Sequence, residues 1–382
     1  MPIDLYYWSP CLNKVGTYKS TINSAISLSK YSKGKFNVKI INACGEWNLL
    51  KKKFAENKID VIDLNFNYFK FLPKNGYIKS RFSSIVIIIL SFIPLAKLMI
   101  KKKPNFIVVH LLTSLPIFLK FLFRLKSKLV LRISGYPKMN IFRKIFWSLS
   151  SDSIEKVFCP SRDLLQQLYI QKIFPLSKLI FVPDPILETR DLVKIKNFNC
   201  EIFKNTTSQN YFISVGRLTK QKNFSYLIDE FNEFIKNGEK NNLLIFGEGE
   251  ERKKLQKKID EYKLNNRIFL MGYSENIYYY MKKAEAFILS SLWEDPGFVI
   301  IESAMNNLFV ISSNCKNGPN ELLDFGRRGI IFESNKKNAL KDALKKFRTL
   351  DVDEKKYKKV LAKKTCLEYS LLRHYARFKY NL

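Results

Sequence analysis

Between Asp63 and Asp152 the chain has no acidic residue, although Asp and Glu recur freely elsewhere. A lysine-rich composition therefore does not account for the gap. Histidine is scarce too: only His110 and His374 occur, which argues against a histidine-rich metal centre. Cys11, Cys44, Cys159, Cys200, Cys315 and Cys366 are scattered, with no CxxC and no short metal-ligand spacing. That pattern points to buried free thiols in a reducing compartment. No secretory leader is expected, because Met1–Trp8 reads as a first strand followed by a polar loop. The most hydrophobic segment, 84–100, loses its uncharged character at Lys97 after about a dozen residues, short of the ~18–20 that span a bilayer. Pro94 is expected to kink a helix there.

What is present narrows the class further. With 382 residues and 46% hydrophobic content, the chain can bury two cores and is not disordered. Its formal net charge is +32, and the acid-free stretch 64–151 holds sixteen Lys or Arg among aliphatic and aromatic residues. Such a surface suits an anionic membrane face, with nucleic acid as the rival partner. Segment 84–100 has two readings. It is either a buried crossover helix, or a helix lying on lipid with Lys101, Lys102 and Lys103 at the head groups. Phe118–Phe123 extends the second possibility.

Strand and helix patterns alternate almost throughout. The first half offers strands at Ile3–Trp8, Phe36–Ala43, Val61–Leu64, Phe106–His110, Lys128–Ser134, Lys156–Pro160 and Lys178–Pro183. The second offers 211–217, 242–249, 267–273, 286–291, 309–314 and 329–333. Continuous apolar strands separated by helices predict parallel sheets covered on both faces. The expected domains are 1–190, a linker at 191–209, a second domain at 210–352, and a helical segment 353–382 packing back on the first. Two doubly wound domains of this kind place ligands at the carboxyl ends of their strands, in a cleft between them.

The most informative stretch is SSLWEDPGFVIIESAM, 290–305. It reads as a buried strand running into a helix, with Asp295 as cap and Pro296 at the first helical position. Free amides at that helix start favour an anion. Glu294 and Glu302, seven residues between them, flank the site. Two carboxylates beside a phosphate-sized positive pocket suit a ligand with both hydroxyls and phosphates, such as a nucleotide sugar.

With VGRLTKQKNF (215–224), FGEGEERKKL (246–255) and NGPNELL (317–323), this stretch resembles the nucleotide-binding domain of family 4 retaining glycosyltransferases of the GT-B fold, bacterial surface-polysaccharide type. The first half matches more loosely, around Gly16, VVHLLTSLP (108–116) and PSRDL (160–164). The resemblance implies that Arg217 and Lys222 grip the donor diphosphate, beside Gly216. Fixed cations there stabilise the charge that builds on the leaving group. It implies that Glu294 binds donor-sugar hydroxyls, that Glu302 holds the ribose, and that amides near Gly297, Phe298 and Val299 meet phosphate or sugar. His110 is implied to line the sugar pocket, and Gly16 to permit close backbone approach. Glu294, Arg217, Lys222 and His110 form the implied catalytic group. No DxD motif is evident, so no metal and no cofactor are expected beyond the nucleoside-diphosphate sugar as co-substrate. The implied acceptor is a lipid-linked or cell-surface glycan, as in lipopolysaccharide, O-antigen or capsule assembly. The implied location is cytoplasmic, peripheral on the inner face of the membrane.

Departures from the pattern are Asn306-Asn307-Leu308-Phe309, where a small-glycine turn and proline are usual, and a first loop with Gly16 alone. Competing readings remain a basic nucleic-acid-binding protein, or a GT-B phosphorylase or sugar-nucleotide epimerase. Against the first, the aromatics sit in apolar runs such as FLKFLF rather than as isolated stacking platforms. Gly247-Glu248-Gly249 resembles half of a dinucleotide fingerprint, but Arg252 stands at the third glycine's place and Glu248, Glu250 and Glu251 repel a pyrophosphate.

Overall fold

The computed structural model describes residues 2–12, 16–64, 66–73, 77–133, 135, 137, 139–186 and 210–382. The expected linker, 191–209, lies outside the described residues, as does Cys200. Two compact units emerge: Met1–Ile186 with Leu371–Leu382, and Leu187–Ser370.

In the first unit the chain runs β1 (Ile3–Trp8), α1 (Gly16–Tyr31), β2 (Phe36–Asn42), α2 (Lys51–Glu56), β3 (Asp60–Asp63), α3 (Tyr77–Lys102) and β4 (Phe106–Val109). It continues through α4 (Ser114–Leu122), β5 (Lys128–Arg132), α5 (Ile141–Leu149), β6 (Ile154–Cys159), α6 (Arg162–Ile170) and β7 (Leu179–Phe181). The strands form one parallel sheet ordered β3-β2-β1-β4-β5-β6-β7. Alternation along β1 shows why both faces are covered: Leu5 and Tyr7 enter one core, Tyr6 and Trp8 the other. Helix starts follow local chemistry. Asn140 accepts from Arg143 N at 2.8 Å to open α5, and Ser161 accepts from Leu164 N at 3.2 Å to open α6.

The second unit runs β8 (Tyr211–Val215), α7 (Phe224–Ile235), β9 (Asn242–Phe246), α8 (Arg252–Glu261), β10 (Ile268–Gly272), α9 (Ile277–Lys283) and β11 (Ala286–Leu289). Then come α10 (Phe298–Met305), β12 (Phe309–Ser313), α11 (Pro319–Leu322), β13 (Ile330–Phe332), α12 (Ala339–Thr349) and α13 (Val352–Cys366). Its parallel sheet is ordered β10-β9-β8-β11-β12-β13. Apolar residues of α7 at helical spacing, Phe224, Leu227, Phe231 and Phe234, pack on it. The Phe212 ring lies 6.2, 6.1 and 5.9 Å from those of Phe231, Phe234 and Phe347. Each sheet reverses its strand order once, between β1 and β4 and between β8 and β11, and open α/β sheets bind ligands at that reversal.

Three expectations need correction. The segment 353–382 is two helices with different partners: α13 packs on α10 in the second unit, while α14 (Leu371–Tyr380) packs on α1 in the first. A helix does run through 84–100, but it extends over Tyr77–Lys102 with Pro94 inside. By length and composition it is long and apolar enough to cross a membrane. The helix after β11 starts at Phe298, not Pro296: Gly297 holds the N-cap position at φ +95°, the Asp295–Pro296 peptide is cis, and Asp295 accepts from Asn317 Nδ2 at 3.3 Å.

All five described cysteines are free and buried, and burial pushes the thiols of Cys11, Cys159, Cys315 and Cys366 up to about 12.

Candidate active site

The strand-order reversal of the second unit gathers most of the implied donor residues. The loop after β8 carries Gly216, Arg217 and Lys222; the loop after β11 carries Glu294 and Gly297. Three hydrogen bonds fix the loops to each other. Leu292 N donates to Gln221 O at 2.9 Å, Gln221 Nε2 to Trp293 O at 2.9 Å, and Ser290 Oγ to Lys222 O at 2.8 Å. Across this seam Lys222 Nζ meets Glu294 Oε1 at 2.5 Å, and Ser291 Oγ donates to the same oxygen at 2.5 Å. The two side chains are only 12% and 6% exposed, so each compensates a charge that burial alone would disfavour. The Lys222 stem lies over Gly216, where a Cβ would come within 2.9 Å of Lys222 Cε. Arg217 is exposed on the same loop, with no ion-pair partner among the described residues.

Glycines lock the surrounding backbone. A Cβ on Gly247 would sit 1.9 Å from Gly216 O, and one on Gly249 2.3 Å from Leu218 O. The Gly-Glu-Gly stretch therefore braces the loop bearing Arg217, which accounts for its glycines without a dinucleotide. On the other side, Gly318 has φ +135°, and a Cβ there would lie 1.9 Å from Pro296 O. It lets the loop after β12 press against the turn leading into α10, where Glu294 N also donates to Lys316 O at 3.0 Å.

Glu302 lies one turn into α10, half-buried, and accepts from Tyr278 Oη at 3.3 Å. Asn306 Nδ2 donates to Glu302 O at 2.8 Å and Asn307 takes φ +59°, so the unusual Asn-Asn pair closes α10. Phe298 and Val299 supply the first-turn amides of α10, which lack intrahelical acceptors. Among the described residues, no three His, Cys, Asp or Glu side chains gather into a metal-binding group.

In the first unit the strand-order reversal places Gly16, the first residue of α1, and His110, just after β4, at the same sheet edge. Thr21 Oγ1 donates to Thr17 O at 2.9 Å and lies 3.3 Å from His110 Nδ1. Its proton being used, it accepts from Nδ1–H. His110 Nε2 then carries a lone pair, buried without a partner among the described residues. Burial first, then the Arg132 charge, holds this imidazole well below its usual range, so it is neutral.

Sequence reasoning missed the residues that hold these groups. They are Ser291 on Glu294, Tyr278 on Glu302, Thr21 on His110, and the packing glycines Gly247 and Gly318. It also missed His374, in α14. His374 Nδ1 donates to Pro183 O at 2.8 Å, Nε2 accepts from Ser24 Oγ at 2.8 Å, and Tyr7 Oη donates to Ser24 at 2.7 Å. Nearby, Arg132 pairs with Asp184, which also accepts from Ser20.

Two doubly wound parallel-sheet units with these loops define the GT-B fold. HepE of Anabaena, crystallised with UDP and glucose, superposes with a TM-score of 0.70 at 13% identity over 99% of this chain and 98% of that one. Residues 197–364 match the family model described as Glycosyl transferases group 1. It is 40% identical over 149 residues to an uncharacterized glycosyltransferase of Methanocaldococcus jannaschii, covering 38% of this chain and 36% of that protein. It is 30% identical over 213 residues to the N-acetylgalactosamine-N,N'-diacetylbacillosaminyl-diphospho-undecaprenol 4-alpha-N-acetylgalactosaminyltransferase of Campylobacter jejuni, covering 51% and 57%. The chain thus spans between a third and somewhat over half the length of these relatives.

Proposed function

We propose that this protein is a retaining glycosyltransferase, moving a sugar from a nucleoside-diphosphate sugar to a lipid-linked or cell-surface glycan acceptor. The observation that carries the reading is the Lys222–Glu294 contact at the strand-order reversal of the second unit, beside the N-terminus of α10. A diphosphate is the ligand that a buried lysine, an exposed arginine and first-turn amides would hold together. Glu294 then turns to the sugar hydroxyls and Glu302 to the ribose. In the first unit His110 is neutral, and its open Nε2 can accept from a hydroxyl. The diphospho-undecaprenol in the Campylobacter relative's name supports a lipid-linked acceptor.

In the step proposed, the bond from the anomeric carbon to the phosphate oxygen breaks while the acceptor oxygen bonds that carbon on the same face. The acceptor proton passes to the departing phosphate oxygen, and nucleoside diphosphate leaves. Lys222 and Arg217 carry the charge that grows on the leaving group, and the reading assigns no step to a metal. Glu302→Ala and Lys222→Ala abolish transfer while the protein stays folded, as read by product formation and circular dichroism. Wild-type rates in either variant would remove the assignment.

A further inference from the structure

α3 exposes a long apolar stripe, more than a helix that only crosses over a sheet needs. Its buried residues are Ser83, Ile87, Ser91, Leu95, Ala96 and Met99, two of the six being serines, with Val86, Ile88, Phe92 and Leu98 partly buried against the same core. Ser83 Oγ has to donate to Pro73 O at 2.6 Å, and Ser91 Oγ has no partner among the described residues. The exposed stripe holds Phe82, Ile85, Ile89, Ile93 and Ile100, with Ile89 66% exposed. Phe82, Ile85, Ile89 and Ile93 recur every three or four residues and Ile100 follows two turns on, so they share one face.

The neighbours continue it. α4 packs beside α3, the Phe92 and Phe118 rings 6.3 Å apart, and turns Phe121 outward at 72% exposure, with Leu122. α4 and α5 both rest on the turn Ser151–Ser153, and α5 exposes Phe142 at 81%, with Ile145 and Leu149. Single exposed apolar side chains are ordinary on a soluble protein; three adjacent helices with such faces are not. Exposed Lys97, Lys101, Lys102, Arg124 and Lys126 belong to the same region, and no acid occurs over 64–151. Phosphate chains of a nucleic acid would satisfy the cations and leave the aliphatic stripe wet. An anionic bilayer satisfies both, with cations at the head groups and Ile, Leu and Phe at the acyl boundary. Ile87, Leu95 and Met99 pin α3 to the core, and its ends feed β3 and β4 of one sheet. A helix held so lies along a membrane rather than across it.

We propose that the outer face of α3, α4 and α5 is a docking surface for an anionic lipid bilayer. The inference deepens the reading of a transferase with a lipid-linked acceptor and rests on it for its purpose. The test is co-sedimentation of the full chain with phosphatidylglycerol-containing and pure phosphatidylcholine vesicles, at low and moderate salt. The expected result is binding to the anionic vesicles, weakened by salt. Lys101→Gln with Lys102→Gln lowers affinity about fivefold per charge. Ile89→Glu and Phe142→Glu each lower it about tenfold or more. All these sites are exposed, so thermal unfolding stays at the wild-type value. No binding to anionic vesicles at low salt, equal binding to both vesicle types, or unchanged binding by every variant would overturn the proposal. So would a dimer that ignores vesicles and is broken by Phe142→Glu. Sugar-nucleotide binding is followed in the same samples. If it persists while vesicle binding is absent, docking alone fails; if it is absent throughout, the transferase reading fails instead.

Discussion

The contact between Lys222 and Glu294 gives the sharpest energetic prediction. At 2.5 Å, with an effective dielectric of about 20, the gross attraction is roughly 6–7 kcal/mol, most of it offset by desolvation. Replacing Lys222 with Met removes the cation and leaves a 6% exposed carboxylate. Ser291 still donates to that carboxylate, which places the expected loss near the lower end for a broken buried pair, about 3 kcal/mol. Glu294→Gln in the same background restores most of it, with a coupling energy of about 2 kcal/mol. Glu294→Gln alone frees Lys222 and tightens binding of nucleoside diphosphate while transfer falls. Urea unfolding of the four proteins gives the cycle, and calorimetry with UDP and GDP gives the affinities. Additivity of the two substitutions within about 0.5 kcal/mol would refute the reasoning, because contacting charges must couple.

Two further outcomes follow from the packing. Gly318→Ala forces a Cβ against Pro296 O at a φ of +135°, and is expected to cost about 1–3 kcal/mol in thermal stability and to weaken donor binding; a silent substitution would contradict the role given to Gly318. His110 and His374 are both neutral in the fold, with His374 at about 3, chiefly through burial. The unfolded chain therefore binds more protons below about pH 6.5, and stability falls on acidification by roughly 1.4 kcal/mol per pH unit per histidine. His374→Gln should shrink that slope, measured by urea unfolding between neutral and mildly acid pH, and an unchanged slope would count against the buried neutral state.

The alternation of apolar strands with helices made both sheets legible, because a parallel sheet buried on two faces leaves little choice of residue. All the strand segments expected in the two halves occur: Ile3–Trp8 as expected, Asp60–Asp63 and Ile154–Cys159 starting one and two residues early, and most ending a residue or a few sooner. The loops after β8 and β11 were singled out through Arg217, Lys222 and Glu294, and the structure brings Lys222 and Glu294 into contact. What the residues did not reveal was long-range: which hydroxyl fixes which carboxylate, or that Gly318 is needed by Pro296 and not by its own turn. The start of α10 was misplaced because Asp-Pro suits a helix entrance locally, while the observed turn is set by Gly297 and the loop packed behind it. The splitting of the last segment was hidden for a similar reason. α13 and α14 are both basic, and only tertiary contact shows that Ala362 and Cys366 are buried with the second unit and His374 and Phe378 with the first.

The central claim is that one site in the second unit holds an activated sugar through its diphosphate. Ligand-detected NMR over UDP-, GDP-, ADP- and CMP-sugars, with wild type beside Lys222→Ala and Glu302→Ala, tests it most directly. At least one nucleotide sugar should show saturation transfer with the wild type and none with either variant, both variants remaining folded. Signals of equal strength from all three proteins, or none from any of the four donors with wild type, would contradict it.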